Sequence, residues 1–153
     1  MNNKYPKLLV CSARTALQYV ISHFSDPETG SAPRTKEQYA AISIQDTGNW
    51  NFGFTLNQNR YCTDVLTLYF DDCEEPGSGV TLMNEKQAAQ IIHFLMVNQS
   101  ADVILIHCFA GQSRSAAVAR FAEELYGMEP STYPNYNTHV YDLLCTVRKR
   151  QLS

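Results

Sequence analysis

The sequence predicts an α/β fold in which a central, mostly parallel sheet of about four to five strands is flanked by helices. Apolar, strand-like runs alternate with helical segments along the chain, which is the order expected of parallel strands joined by helical crossovers. Two polar segments also follow directly after apolar runs, and parallel sheets place their ligand sites beyond the carboxyl ends of strands. The 153 residues suffice for one core but not for two, so we expect a single domain spanning 1–153.

The predicted strands are short apolar runs bounded by turn residues. They lie at about residues 7–12, 41–44, 65–70 and 103–106. The connection at 47–59 is rich in Asn, Gly and Thr and carries Trp50, Phe52 and Phe54. Two interpretations of this aromatic loop are open: it forms a wall of an active-site cleft, or it covers one edge of the sheet, and we favour the second.

The predicted helices lie at about residues 15–23, 84–97, 114–127 and 137–150. The second of them has a clear start, because Asn84 can cap it and Gln87 is placed to complete a capping box. The third helix has a clear end, because Gly127 suits the left-handed conformation that closes many helices.

The composition limits the classes of binding partner and the cellular compartment that we expect. The net charge of −3 argues against a broad basic surface, so we expect no nucleic acid and no membrane as partner. The five cysteines are an odd number without paired or metal-like spacing. Neither a signal peptide nor an apolar stretch of membrane-spanning length is recognisable. We therefore expect a cytoplasmic protein without a bound metal, whereas the oligomeric state stays open.

The most informative segment runs from His107 to Ser115, with the sequence HCFAGQSRS. It follows an apolar run and precedes a stretch of small residues, which predicts a strand, a tight loop and a helix. Unpaired N–H groups and the helix dipole at such a helix start favour an anion. Five residues separate Cys108 from Arg114, which matches the HCX5R[S/T] signature. In this segment the chain resembles the cysteine-based protein tyrosine phosphatases, and its AGxSRS form resembles their compact dual-specificity-like group.

The chemistry of each residue type fits that resemblance. N–H donors and a nearby guanidinium favour the thiolate of Cys108, the expected nucleophile. Arg114 can hold two phosphate oxygens through its planar fork. Gly111 suits a sharp turn close to a ligand. Ser115 is expected to hydrogen-bond the sulfur and to help it leave, and His107 to orient the loop through backbone hydrogen bonds rather than to titrate.

The resemblance also implies a general acid on a separate loop before the cysteine. The run at 65–70 ends in Asp71 and Asp72, and Asp72 lies 36 residues before Cys108, within the interval that the resemblance implies. In relatives the acid commonly sits two residues past the last strand residue, which favours Asp72 and leaves Asp71 as the alternative. A third interpretation is that both aspartates only mark a turn.

The resemblance therefore implies a protein phosphatase that hydrolyses phosphotyrosine, and potentially phosphoserine and phosphothreonine, through a cysteinyl-phosphate intermediate. Its partner is a phosphorylated protein or peptide, and it needs neither cofactor nor metal. The backbone N–H groups expected to bind the phosphate oxygens, together with the Arg114 side chain, are those of Phe109, Ala110, Gly111, Gln112, Ser113 and Arg114.

Four alternatives use a similar loop. Phosphoinositide phosphatases usually carry lysines within it, but the four residues other than Gly111 between Cys108 and Arg114 are uncharged here. RNA triphosphatases bind a polyanionic substrate and need a basic groove, which the net charge of −3 disfavours here. A rhodanese-like sulfurtransferase also has a cysteine in an anion-binding loop, but that function would not explain Asp72. A phosphotyrosine-binding module without turnover typically lacks the cysteine, the arginine or the acid, and all three are present here. We also consider Cys73 as a partner that could rescue oxidised Cys108 as a disulfide.

Overall fold

The computed structural model describes residues 5–48 and 52–153. Over these residues the chain forms four strands and four helices. In chain order they are β1 (Lys7–Cys11), α1 (Ala13–Ile21), β2 (Tyr39–Gln45), β3 (Cys62–Tyr69), α2 (Glu85–Val97), β4 (Val103–His107), α3 (Arg114–Tyr126) and α4 (Thr138–Gln151). The strands form one sheet in the order β1-β4-β2-β3, and every neighbouring pair is parallel. The predicted α/β class with a parallel sheet is confirmed.

Both faces of the sheet are covered, as the strand β2 shows. All seven of its residues are buried. Because side chains alternate between the two faces of a strand, Ala40, Ile42 and Ile44 join the larger core with α2, α3 and α4. Tyr39 and Ala41 point the other way and pack with α1 in a smaller core. A sheet buried on both faces leaves its strand ends as the place for polar chemistry.

Local sequence features fix the ends of the helices. The capping box of α2 is confirmed: the Gln87 N–H donates to Asn84 Oδ1 at 2.8 Å, and the Asn84 N–H donates to Gln87 Oε1 at 3.1 Å. Gly127 closes α3 at φ 69°, in the left-handed region, as predicted. Helix α1 begins at residue 13 rather than 15, because the Ser12 side chain caps it by accepting a backbone N–H at 3.1 Å.

Parallel pairing brings the carboxyl ends of all four strands to one edge of the sheet. Asp46 follows β2, Asp71 and Asp72 follow β3, and Cys108 follows β4. Three stretches that lie far apart in the sequence therefore meet beyond this edge. Within the described ranges, no helix is long and apolar enough to cross a bilayer.

Candidate active site

The phosphate loop, residues 108–114, lies between the central strand β4 and the start of α3. Cys108 is 2% exposed, and its Sγ lies 3.2 Å from the Ser115 hydroxyl oxygen. The backbone N–H of Gly111 donates to the same sulfur at 3.3 Å. The structure thus brings together Cys108, Gly111 and Ser115 in an arrangement suited to a nucleophilic sulfur.

Backbone contacts with the β1–α1 junction support the phosphate loop. Gly111 adopts φ +76°, and a Cβ atom at this position would lie 2.3 Å from the carbonyl carbon of Cys11 and 2.4 Å from the Ser12 nitrogen. The Ala13 N–H donates to the Phe109 carbonyl at 3.0 Å. Both the conformation and the close approach require glycine at position 111.

Arg114, the first residue of α3, has a side chain that is only 3% exposed. Its Nη1 donates to the Phe70 carbonyl at 2.7 Å and pairs with Asp46 Oδ1 at 2.8 Å. Its Nε is buried and finds no hydrogen-bond acceptor among the described residues. A buried guanidinium N–H without an acceptor costs free energy, and a bound oxyanion would satisfy it. The residues present therefore suit an anion such as phosphate.

The Asp71 carboxylate is occupied by hydrogen bonds from other residues of the chain. Its carboxylate accepts the Thr47 backbone N–H at 3.0 Å, the Thr47 hydroxyl at 2.8 Å and the Thr81 N–H at 2.7 Å. Burial acts to raise the pKa of Asp71, but these hydrogen bonds and the charge of Arg114 together hold that pKa below its ordinary value. An ionised carboxylate occupied by three donors is a poor proton donor, so the geometry disfavours Asp71 as general acid.

Asp72 faces the phosphate loop instead. Its Oδ1 accepts the Ser113 hydroxyl at 2.7 Å and the Asn137 side-chain amide at 2.9 Å. The side chain is exposed, so a substrate can reach it. Of the two predicted aspartates, Asp72 is the one that the structure brings to the loop containing Cys108.

His107 ends β4 directly beneath the loop. Its Nδ1 lies 3.1 Å from the Cys108 carbonyl, and its Nε2 lies 2.7 Å from the Ser43 hydroxyl. A carbonyl only accepts, so Nδ1 carries the proton and the Ser43 hydroxyl donates to Nε2. Burial lowers the pKa of His107, and the charge of Arg114 adds to this. The predicted backbone hydrogen bond is confirmed, and the imidazole is neutral at neutral pH.

An aromatic surface borders the phosphate loop. The ring centroid of Phe52 lies 5.7 Å from that of Phe109 and 5.9 Å from that of His107. Phe109 is 64% exposed, whereas Phe54 packs with the smaller core on the α1 face of the sheet. The interpretation of a sheet cover therefore fits Phe54, and that of a cleft wall fits Phe52. Trp50, which belongs to the same predicted loop, lies outside the described residues.

Two further cysteines border the site. Burial, and next the charge of Cys108, raises the pKa of Cys11 to about 12. Burial, and next the charges of Asp71 and Asp72, raises the pKa of Cys73. Both thiols are thus protonated at neutral pH, and neither competes as a nucleophile. The pairing of Cys73 with an oxidised Cys108 stays a prediction.

Two residues of this site were missed by the sequence analysis. Asp46 pairs with Arg114, and Asn137 donates to Asp72. The position of Asp46 directly after a predicted strand was the one available signal, since Asp71 and Asp72 were identified by the same position. For Asn137 the sequence indicated only the start of a helix.

No protein-family model matches the chain, and no curated protein matches it. Two solved structures are similar in backbone. The crystal structure of a human tyrosine phosphatase-like serine/threonine/tyrosine-interacting protein has 19% sequence identity and a TM-score of 0.49, covering 77% of this chain and 80% of that chain. The crystal structure of PTPMT1 in complex with PI(5)P has 13% identity and a TM-score of 0.49, covering 97% of this chain and 96% of that chain.

The first of these proteins is described as tyrosine phosphatase-like, and the sequence of this chain resembles the tyrosine phosphatases. At such identities and scores, neither structure carries an argument about activity.

Proposed function

We propose that the protein is a cysteine-dependent protein phosphatase that hydrolyses phosphotyrosine, with the shorter phosphoserine and phosphothreonine as weaker substrates. One observation carries the proposal: a buried sulfur that accepts the Gly111 N–H and contacts the Ser115 hydroxyl shares a loop with a buried guanidinium whose Nε has no acceptor among the described residues. A nucleophile and an oxyanion site in one short loop are the requirements of phosphoryl transfer to cysteine.

In the first step, the Cys108 thiolate attacks phosphorus in line with the leaving oxygen. The S–P bond forms as the P–O bond to the substrate breaks, and Asp72 gives its proton to that oxygen. Arg114 and the N–H groups of the phosphate loop hold the three equatorial oxygens, so negative charge is balanced where it develops.

In the second step, water attacks the cysteinyl-phosphate. The Asp72 carboxylate takes a proton from the water, the new P–O bond forms, and the S–P bond breaks. Sulfur leaves as a thiolate, which the Ser115 hydroxyl at 3.2 Å can stabilise by donating a hydrogen bond. The products are inorganic phosphate and the starting enzyme.

The surroundings of the loop support a protein substrate. Cys108 is 2% exposed, so the phosphorylated side chain must be long enough to reach it, and the Phe52–Phe109 surface offers an apolar contact to a phenyl ring. The carboxylates of Asp46 and Asp72 border the same loop. Negative charges there oppose a polyphosphoinositide headgroup, which carries several phosphates.

The test is hydrolysis of 4-nitrophenyl phosphate in the presence of a chelator, comparing the parent with Cys108→Ser. We expect turnover by the parent and a loss of at least ~10³-fold in the variant, because the hydroxyl is a far weaker nucleophile than the thiolate. Cys145→Ser is the matched control, since Cys145 is a half-buried cysteine on α4. It should leave the rate unchanged.

A second comparison addresses the substrate class. A phosphotyrosine peptide should have a higher kcat/KM than a soluble phosphoinositide, and the reverse order would contradict a protein substrate. If a well-folded parent shows no turnover of any substrate, a binding module is the better description.

A further inference from the structure

Asn137 links three parts of the site from a buried position. It is the N-cap residue of α4, is 1% exposed, and its Oδ1 accepts the Val140 N–H at 3.0 Å. Its Nδ2 donates to Asp72 Oδ1 at 2.9 Å and to the Cys73 carbonyl at 3.1 Å. Its backbone N–H donates to the Ser113 carbonyl of the phosphate loop at 3.1 Å.

The side chain therefore uses both its amide oxygen and its amide nitrogen in hydrogen bonds. An amide has two N–H donors, and here one binds the Asp72 carboxylate while the other binds the backbone of the next residue. A helix cap needs only the amide oxygen, so the two donors are not explained by capping. They fix both the backbone and the carboxylate of the segment 71–73, which we call the acid loop.

Asp72 depends on such support because it is exposed and lies on a connection between β3 and α2. A general acid must lie within hydrogen-bond reach of the leaving oxygen when the P–O bond breaks. Ser113 donates to the same carboxylate oxygen from the phosphate loop itself. Together the two donors hold the carboxylate beside the loop that contains Cys108.

We infer that Asn137 is a positioning residue that holds the acid loop against the phosphate loop and acts on the reaction through Asp72. The inference rests on the proposed function. Asn137, at the start of α4, then supports proton transfer by Asp72 in addition to capping the helix.

The test is the variant Asn137→Ser. A serine hydroxyl still caps a helix by accepting an N–H, but it is shorter and lacks the amide nitrogen that contacts Asp72 and Cys73. Asn84→Ser is the matched control, because Asn84 caps α2 in the same way and contacts Gln87 rather than the acid loop.

The readout is the ratio of kcat/KM for phenyl phosphate to kcat/KM for 4-nitrophenyl phosphate, because hydrolysis of the cysteinyl-phosphate is the same for both esters and does not enter kcat/KM. Phenolate is a poor leaving group that needs a proton, whereas 4-nitrophenolate leaves readily without one. Both rates come from one preparation, so a partly unfolded fraction lowers them equally and leaves the ratio unchanged.

We expect Asn137→Ser to lower this ratio by ~10-fold or more, a part of the ~10²–10⁴-fold that a positioned acid contributes. Asn84→Ser should leave the ratio unchanged. In an Asp72→Asn background, Asn137→Ser should lower the ratio no further, because a residue that acts through Asp72 has no effect without it.

The opposite results separate the two proposals. If the parent hydrolyses neither ester, the proposed function and this inference fail together. If the parent is active and Asp72→Asn lowers the ratio while Asn137→Ser does not, only the inference is overturned. Should the serine variant not fold, Asn137→Asp keeps the cap and the shape but sets a carboxylate against Asp72; an unchanged ratio in that variant also overturns the inference.

Discussion

Replacing Gly111 by alanine tests how the phosphate loop is held in place. An added Cβ would lie 2.3 Å from the carbonyl carbon of Cys11 and 2.4 Å from the nitrogen of Ser12. Ordinary contact begins at 3.4 Å, so the loop or the end of β1 must move by 3.4 − 2.3 = 1.1 Å. Both atoms are backbone, and no side-chain rotation can relieve the overlap.

The expected loss in the free energy of unfolding has two contributions. Alanine at φ +76° costs ~1–2 kcal/mol in conformational energy, and the overlap adds ~1–3 kcal/mol of overpacking. We therefore expect Gly111→Ala to lower the free energy of unfolding by ~2–5 kcal/mol. A displacement of about 1 Å at catalytic groups also costs ~10²-fold in rate, so kcat should fall at least that far.

The assays are urea unfolding and hydrolysis of 4-nitrophenyl phosphate. Gly30→Ala is the matched control, because Gly30 has φ +71° but an added Cβ meets nothing within 4 Å. It should show the conformational cost alone and keep full activity. If the two variants are equally destabilised and Gly111→Ala keeps the parental kcat, the loop does not depend on this close approach and the reasoning is refuted.

Two further predictions concern pH. The rate should follow a bell-shaped profile with its maximum on the acid side of neutral, because Cys108 must be ionised while Asp72 is protonated; a flat profile between roughly pH 5 and 8 contradicts these roles. The depressed pKa of Asp71 in the folded protein means that its ionised form stabilises the fold above the ordinary carboxyl pKa, and that this stabilisation is lost as pH falls through the folded value. The variant Asp71→Asn should therefore have a lower free energy of unfolding in urea than the parent at pH 7. This difference in stability should shrink toward pH 3, about a unit below the ordinary carboxyl pKa. A difference that is independent of pH would show that the carboxylate charge has no part in stability.

The sequence predicted the fold class and the strand–loop–helix order around Cys108 correctly, because both are encoded locally. The apolar strand β4, the six-residue loop at 108–113 and the helix α3 follow one another without interruption. Capping residues such as Asn84 and Gly127 act on their own helix, so short spacings are enough to identify them.

The choice between Asp71 and Asp72 cannot be made from neighbouring residues in the sequence alone. The two residues are adjacent and chemically identical, and no spacing rule distinguishes their environments. The difference comes from Thr47, 24 residues before Asp71, and from Asn137, 65 residues after Asp72. Only the folded chain brings these partners to the carboxylates.

Asp46 was missed for the same reason. Its pairing with Arg114 joins the end of β2 to the start of α3, and neither segment indicates the other in the sequence. The sequence by itself determined an α/β chain in which a loop between a strand and a helix contains a cysteine and an arginine. The tertiary structure alone decided which carboxylate faces that loop and what holds it there, because hydrogen bonds between distant segments depend on the packing of the whole sheet and its helices.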